Sequence, residues 1–210
     1  SGFPKAMSKA EWVGNPVRPA IAALPSPAER YAGRSGPLKL LVVGGSLGAK
    51  ALNDVLPEAL AALPVSERPQ LLHQSGKNHL TQLQQRYAEL NVHAQCMAFI
   101  ADMPGAYADA DLVICRAGAL TIAELAAAGA PSILVPFPHA VDDHQTANAR
   151  FLSDAGAAIL MPQAELSVDA LAKLPSLGRD QLREMAEKAR ALARPEAARD
   201  VANVCEELVK

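Results

Sequence analysis

The sequence predicts an α/β protein, a Rossmann-like doubly wound parallel sheet followed by C-terminal helices, and three observations predict it. From Leu38 onward, short β-rich runs alternate with stretches of helical periodicity. Three of the runs, near 38–43, 112–115 and 132–135, are continuous and apolar but for Lys39 and Ser132, as strands covered on both faces are. The connections are short enough that right-handed βαβ units are the simplest way to join them.

Taken in order, residues 1–36 stand apart. They are proline-rich, weakly periodic and carry an isolated Trp12. This is the composition of an interdomain linker or N-terminal segment, with a domain at 37–210 behind it and a further segment expected ahead of Ser1. Strands are expected near 38–43, 70–73, 92–96, 112–115, 132–135 and 157–160. Helices are expected near 48–63, 77–90, 119–128 and 143–155, with a shorter helical turn near 102–109. The stretch 143–155 shows why: Asp142 or Asp143 suits an N-cap, Ala147, Phe151 and Ala155 share a face, and Gly156 suits the stop. From 165 the pattern is helical only, with runs at 179–193 and 196–209.

Half the residues are hydrophobic, 20% are charged and the formal charge is −2, so the chain has apolar material for a core and no basic footprint for nucleic acid. Three cysteines without CxxC spacing read as buried free thiols in a reducing compartment, and no metal site is expected. No apolar run reaches the roughly 18–20 residues of a membrane span. The chain reads as soluble and cytoplasmic.

Ligands of open parallel sheets sit outside the carboxyl ends of the strands, which leaves four loops to weigh. Gly44-Gly45-Ser46-Leu47-Gly48-Ala49 follows the first strand and opens a helix. It is either a plain tight turn or a cradle for an anion at a helix N-terminus. It is neither a GxGxxG fingerprint nor a P-loop, and no acidic residue ends the second strand, so a nicotinamide cofactor and an oxidoreductase are poorly supported.

The second loop, CRAGALTIAELAAAG at 115–129, contains Thr121-Ile122-Ala123-Glu124. That is either a capping box or, through Glu124, an acceptor for two neighbouring ribose hydroxyls. Arg116 is a ligand group or a solvated side chain. The third, VPFPHAVDDHQTANA at 135–149, spaces Asp142, Gln145 and Asn148 by three, which suits sugar hydroxyls or an ordinary cap with two solvated amides. No nucleophile or carboxylate pattern in the sequence marks His139 or His144 as an acid/base group. The fourth, AFIADM at 98–103, offers Phe99 and Ile100 as core or as the wall of a base slot. Two helix N-termini, a diol acceptor, an amide-rich pocket and an apolar slot together suit a nucleotide diphosphate-sugar better than a dinucleotide.

VGNPVR (13–18), GGSLGAKALN (44–53), HQSGK (73–77), FIADM (99–103), the run from Arg116 to Ala149 and the closing AGAAILMPQAELS together resemble the MurG family of lipid-acceptor N-acetylglucosaminyltransferases. The likeness covers essentially the whole chain but only that family's C-terminal half and linker. It implies one half of a GT-B fold that binds UDP-N-acetylglucosamine as donor. It implies Arg18 and Ser46 at the diphosphate, with Gly45 and Gly48 beside them. Ile100 would meet uracil through its backbone, and Ala119, Leu120, Thr121, Ile122, Ala123 and Glu124 would form the donor-binding helix start, with Glu124 on the ribose. Gln145 would contact N-acetylglucosamine, with Asp142 nearby. No catalytic residue is expected within this chain, and no cofactor or metal. The acceptor-binding N-terminal domain, the lipid-linked acceptor and the membrane surface would be met by a fuller protein, peripheral on the cytoplasmic face of the inner membrane. This chain alone is expected to bind without transferring, unless it is a stand-alone nucleotide-sugar subunit served by a separate acceptor-binding chain. Val201, Val204 and Leu208 would form a helix face whose usual partner is that other domain.

Overall fold

The computed structural model describes residues 12–45, 48–138, 140 and 143–208. Six parallel strands form one sheet in the order β3-β2-β1-β4-β5-β6: β1 Lys39–Val43, β2 Gln70–Gln74, β3 Gln95–Met97, β4 Leu112–Cys115, β5 Ser132–Leu134 and β6 Ala158–Leu160. The four residues of β4 and the three of β5 are all buried, as apolar runs with helices on both sides must be. β1 pairs on both edges, Val43 standing level with Gln74 on β2 and Cys115 on β4.

Two apolar layers sandwich the sheet. On one face, α3 (Lys50–Ala62), α4 (Leu80–Glu89), α8 (Val168–Leu171) and part of α9 (Arg179–Ala191) bury Leu52, Leu56, Tyr87, Leu171 and Leu182. On the other, α1 (Pro19–Ala22), α5 (Met103–Asp109), α6 (Ala119–Ala128) and α7 (His144–Ser153) bury Ile21, Tyr107, Leu125 and Leu152. Leu83 and Tyr87 of α4 show the periodicity behind this: four residues apart, they share the buried face of an otherwise polar helix.

Part of the segment expected to be a linker is built into the domain. Pro27 starts α2 (Pro27–Tyr31) behind a capping box of Ser26 and Glu29, and Ile21 has no exposed surface. The Tyr31 hydroxyl donates to the Asp111 carbonyl at 2.7 Å, and Arg34 pairs with the buried Asp111 carboxylate at 2.6 Å. Arg179 of α9 reaches the same carboxylate at 3.2 Å, tying the segment ahead of β1 and the start of α9 to the residue that precedes β4.

Some boundaries differ from expectation. β3 starts at Gln95 rather than 92, because Asn91 (φ 52°) and the Val92 N–H, bonded to the Tyr87 carbonyl, still belong to the end of α4. α3 and α4 begin at Lys50 and Leu80 because Gly48 (φ 80°) and the turn from Gly76 to His79 precede them. Gly156 ends α7 as expected: it is left-handed at φ 69° and its N–H bonds the Ser153 carbonyl at 2.9 Å. Asp143 precedes α7 in the left-handed region and caps no backbone amide; its carboxylate accepts instead from the Thr146 hydroxyl at 2.6 Å. All three cysteines are free, but only Cys115 is fully buried, with Cys96 half-buried and Cys205 exposed. α10 (Ala197–Leu208) is anchored by the buried Ala197, while Val204 is 39% exposed.

Candidate functional site

From the adjacent strands β1 and β4 the chain departs in opposite directions, to β2 and to β5. The loops after β1 and β4 therefore part and leave a crevice at the carboxyl edge of the sheet. Gly44 donates to the Gln74 carbonyl at 3.3 Å, closing the first loop onto β2. Gly48 lies so close to the Ser75 carbonyl oxygen that a side chain there would collide with it, and its φ of 80° disfavours any other residue. Gly45, also left-handed, faces open space. Ser46 lies outside the described residues.

Helices α3 and α6 begin at this crevice. Their N-caps are Ala49 and Gly118, and neither supplies a side-chain hydrogen bond to its helix. The first amides of each helix, which have no partner inside the helix, are directed with the positive end of the dipole toward the crevice. An anion is what such a pair of ends accommodates.

Arg18 and Glu124, 106 residues apart in sequence, meet beside it. Arg18 donates from Nε at 3.1 Å and from Nη2 at 2.9 Å to one oxygen of Glu124, and the Tyr107 hydroxyl donates to the other at 3.3 Å. Arg18 is held there by its position immediately ahead of α1, whose first residue is Pro19. The Asn15 amide donates to the Ala119 carbonyl at 3.4 Å, fastening the same segment to the first turn of α6. The capping box anticipated at Thr121 and Glu124 does not form. The helix starts at Ala119 rather than behind a Thr121 cap, which leaves Thr121 inside the first turn and Glu124 between the surface Arg18 and the buried Tyr107. Ala119 and Leu120 are exposed in that turn, Thr121 and Ala123 half-buried, and Ile122 packs into the core with Ile100.

Ile100 is only 4% exposed, whereas its neighbour Phe99, a candidate for the core, is 62% exposed. Phe99 stands in the loop beyond β3, where the sheet has ended. Gln145 accepts from the Phe137 N–H at 3.0 Å, so its amide is oriented by the loop after β5. Asn148 is neither solvated nor turned outward: it is buried and donates to the Ala117 carbonyl at 3.1 Å, bracing the turn before α6. Arg116 is likewise structural, donating to the carbonyls of Val135 and Pro136 at 3.1 Å and to Gln163 at 2.6 Å, over the Phe137 ring. His144 opens α7 at the surface; Asp142 and His139 lie outside the described residues. His73 of the HQSGK motif is a core residue, with Nδ1 at 2.9 Å from the Tyr87 hydroxyl, and burial pushes its imidazole down to about 3. It is neutral at ordinary pH and apart from the crevice chemistry. Among the described residues, no group of three or more His, Cys, Asp or Glu side chains is arranged to hold a metal ion.

Sequence reading missed Tyr107 and Asn15. Their partners lie 17 and 104 residues away, so no local spacing reveals them; a tyrosine on the inner face of a short apolar helix is the one available sign that a polar tip needs a partner.

A doubly wound parallel sheet with two helix N-termini at its switch point defines a Rossmann-like type of α/β domain. The chain belongs to glycosyltransferase family 28: the model of the glycosyltransferase family 28 C-terminal domain matches residues 39–204. It is 60% identical over 210 residues to the UDP-N-acetylglucosamine–N-acetylmuramyl-(pentapeptide) pyrophosphoryl-undecaprenol N-acetylglucosamine transferase of Dechloromonas aromatica (strain RCB), covering 100% of this chain and 60% of that one. It is 62% identical over 208 residues to the transferase of the same name from Aromatoleum aromaticum (strain DSM 19018 / LMG 30748 / EbN1), covering 99% and 58%. The crystal structure of Acinetobacter baumannii MurG superposes with a TM-score of 0.87 at 42% identity, covering 98% of this chain and 58% of that one. The chain thus spans about three-fifths of the length of the curated relatives it matches.

Proposed function

We propose that this chain is the donor-binding part of a transferase that moves N-acetylglucosamine from UDP-N-acetylglucosamine to a lipid-linked muramoyl-pentapeptide in peptidoglycan synthesis. The observation that carries the reading is the meeting of Arg18 and Glu124 beside two helix N-termini without side-chain caps. In this reading the diphosphate lies across residues 44–49 and the first turn of α6, Arg18 turns to it, and Glu124 accepts the ribose hydroxyls. Ile100 borders the base and Gln145 the sugar, with Ser46 and Asp142 as further contacts.

The chemistry is inversion at the sugar C1. An acceptor hydroxyl attacks in line and uridine diphosphate departs, its developing charge met by helix amides and by Arg18. Fixed dipoles aimed at that charge need no reorganisation as the bond breaks. The reading calls for neither cofactor nor metal. The acceptor, the membrane surface and the cytoplasmic face of the inner membrane are engaged through the part of the relatives' length that this chain does not span. No described helix is long and apolar enough to cross a membrane.

A thermal-shift titration of this chain with UDP-N-acetylglucosamine, UDP-glucose and NAD tests the reading. A ligand of the folded state raises stability by about 2.7 kcal/mol at a hundred times its Kd. The expected order is UDP-N-acetylglucosamine first, UDP-glucose weaker and NAD without effect. Stabilisation by NAD alone would overturn it.

A further inference from the structure

A phenol sealed in an apolar core needs a hydrogen-bond partner. Tyr107 is 1% exposed and packed under α6 with Ile100, Met103, Cys115 and Leu125. Its hydroxyl donates to the Glu124 carboxylate, whose other oxygen is held by the half-exposed Arg18. Burial, reinforced by Cys115 and Glu124, holds the phenol well above its ordinary range, so it stays a neutral donor throughout the working pH.

The two oxygens of Glu124 are therefore held by unlike partners. One is on a surface arginine, the other on a core tyrosine that sits on α5 and cannot leave without unpacking the domain. From this geometry we infer that Tyr107 is a positioning residue for nucleotide ribose recognition, acting through Glu124 without touching the ligand. The inference rests on the donor-site reading above for the identity of the ligand. When Arg18 turns to the diphosphate, Tyr107 becomes the remaining hold on the carboxylate. Held from below, Glu124 keeps its outward lone pairs in place for two vicinal hydroxyls; without that hold it rotates among its side-chain conformers and the pairing is lost.

Calorimetric titration of this chain with UDP and with 2′-deoxy-UDP tests this directly. Wild type is expected to prefer UDP by about tenfold, the size of one hydrogen bond to a charged group. In Tyr107→Phe that preference is expected to shrink to about twofold, with a folded melting transition retained. A purely structural tyrosine would lower the melting temperature and leave the preference unchanged, and that result would overturn the inference. Should Tyr107→Phe fail to fold, wild type labelled at the tyrosine hydroxyl-bearing carbon decides the matter. Its Tyr107 resonance should move on adding UDP and move less with the deoxy compound; equal or absent movement overturns the inference. A wild type that binds neither nucleotide overturns the donor-site reading itself.

Discussion

The two ends of α6 are finished in opposite ways. At its C-terminus, Gly129 turns left-handed at φ 58° and its N–H bonds the Ala126 carbonyl, while Ala130 bonds Leu125. Arg30 donates to the carbonyls of Ala128 and Gly129 at 2.6 Å, and Arg190 donates to that of Ala127. Two cations thus sit at the negative end of the dipole, each hydrogen-bonded to its last carbonyls. At the N-terminus a glycine stands where a capping side chain would be, and Leu120 is 63% exposed. The same helix is closed where it meets the scaffold and open where it meets the crevice. An end left open beside a switch point, on a helix so fully closed at its other end, is what the donor-site proposal rests on.

The largest effect is expected at the closed end of α6. Arg30→Ala strips the Ala128 and Gly129 carbonyls of their donor, along with those of Tyr107 and Pro25, and should cost at least about 3 kcal/mol, since hydrogen bonds to charged groups contribute about 1.5–3 kcal/mol each. Urea unfolding measures it, and a loss below about 0.5 kcal/mol would mean that water replaces the guanidinium without penalty.

Closing the open end should have effects of opposite sign. Gly118 has φ −66° and ψ 146°, and a side chain there would meet Thr121 Oγ1 at an ordinary 3.6 Å, so Gly118→Asp is sterically admissible. A carboxylate cap should add about 0.5 kcal/mol of stability. It should also weaken UDP binding by about tenfold or more, because like charges a few ångströms apart repel by about 1–4 kcal/mol in partly screened surroundings. Thermal melts and calorimetry on one sample read both; tighter UDP binding would place the diphosphate elsewhere.

The smallest effect sharpens the same contrast. Thr121→Ala should change stability by less than about 0.5 kcal/mol, where loss of a true N-cap costs about 1 kcal/mol. A larger loss in a melting experiment would restore the capping box that the helix start at Ala119 removes.

These residues also show how far the sequence could be read. The apolar runs, the glycine turn after β1 and the helix opening at Ala119 follow from local pattern, and the doubly wound sheet follows from those. The Thr121–Glu124 spacing matches a capping box as well as it matches an interior turn, because the signature does not record where the helix begins; Gly118 decides that. As polar residues in the sequence, Arg116 and Asn148 look no different from Arg18 and Gln145. Only the packed loops reveal that the first two direct their donors to backbone carbonyls. Phe99 reads as core because hydrophobicity does not report where a sheet ends. Arg18, Tyr107 and Glu124 become a unit only once α1, α5 and α6 are side by side.

The Arg18–Glu124 pair also bears on how quickly a ligand arrives. Opposite charges 2.9 Å apart cancel at a distance, so a polyanion approaching through solvent senses little attraction until it touches the crevice. Association with nucleotide should then depend weakly on ionic strength, and discrimination among anions should reside in how long each stays rather than in how often it arrives.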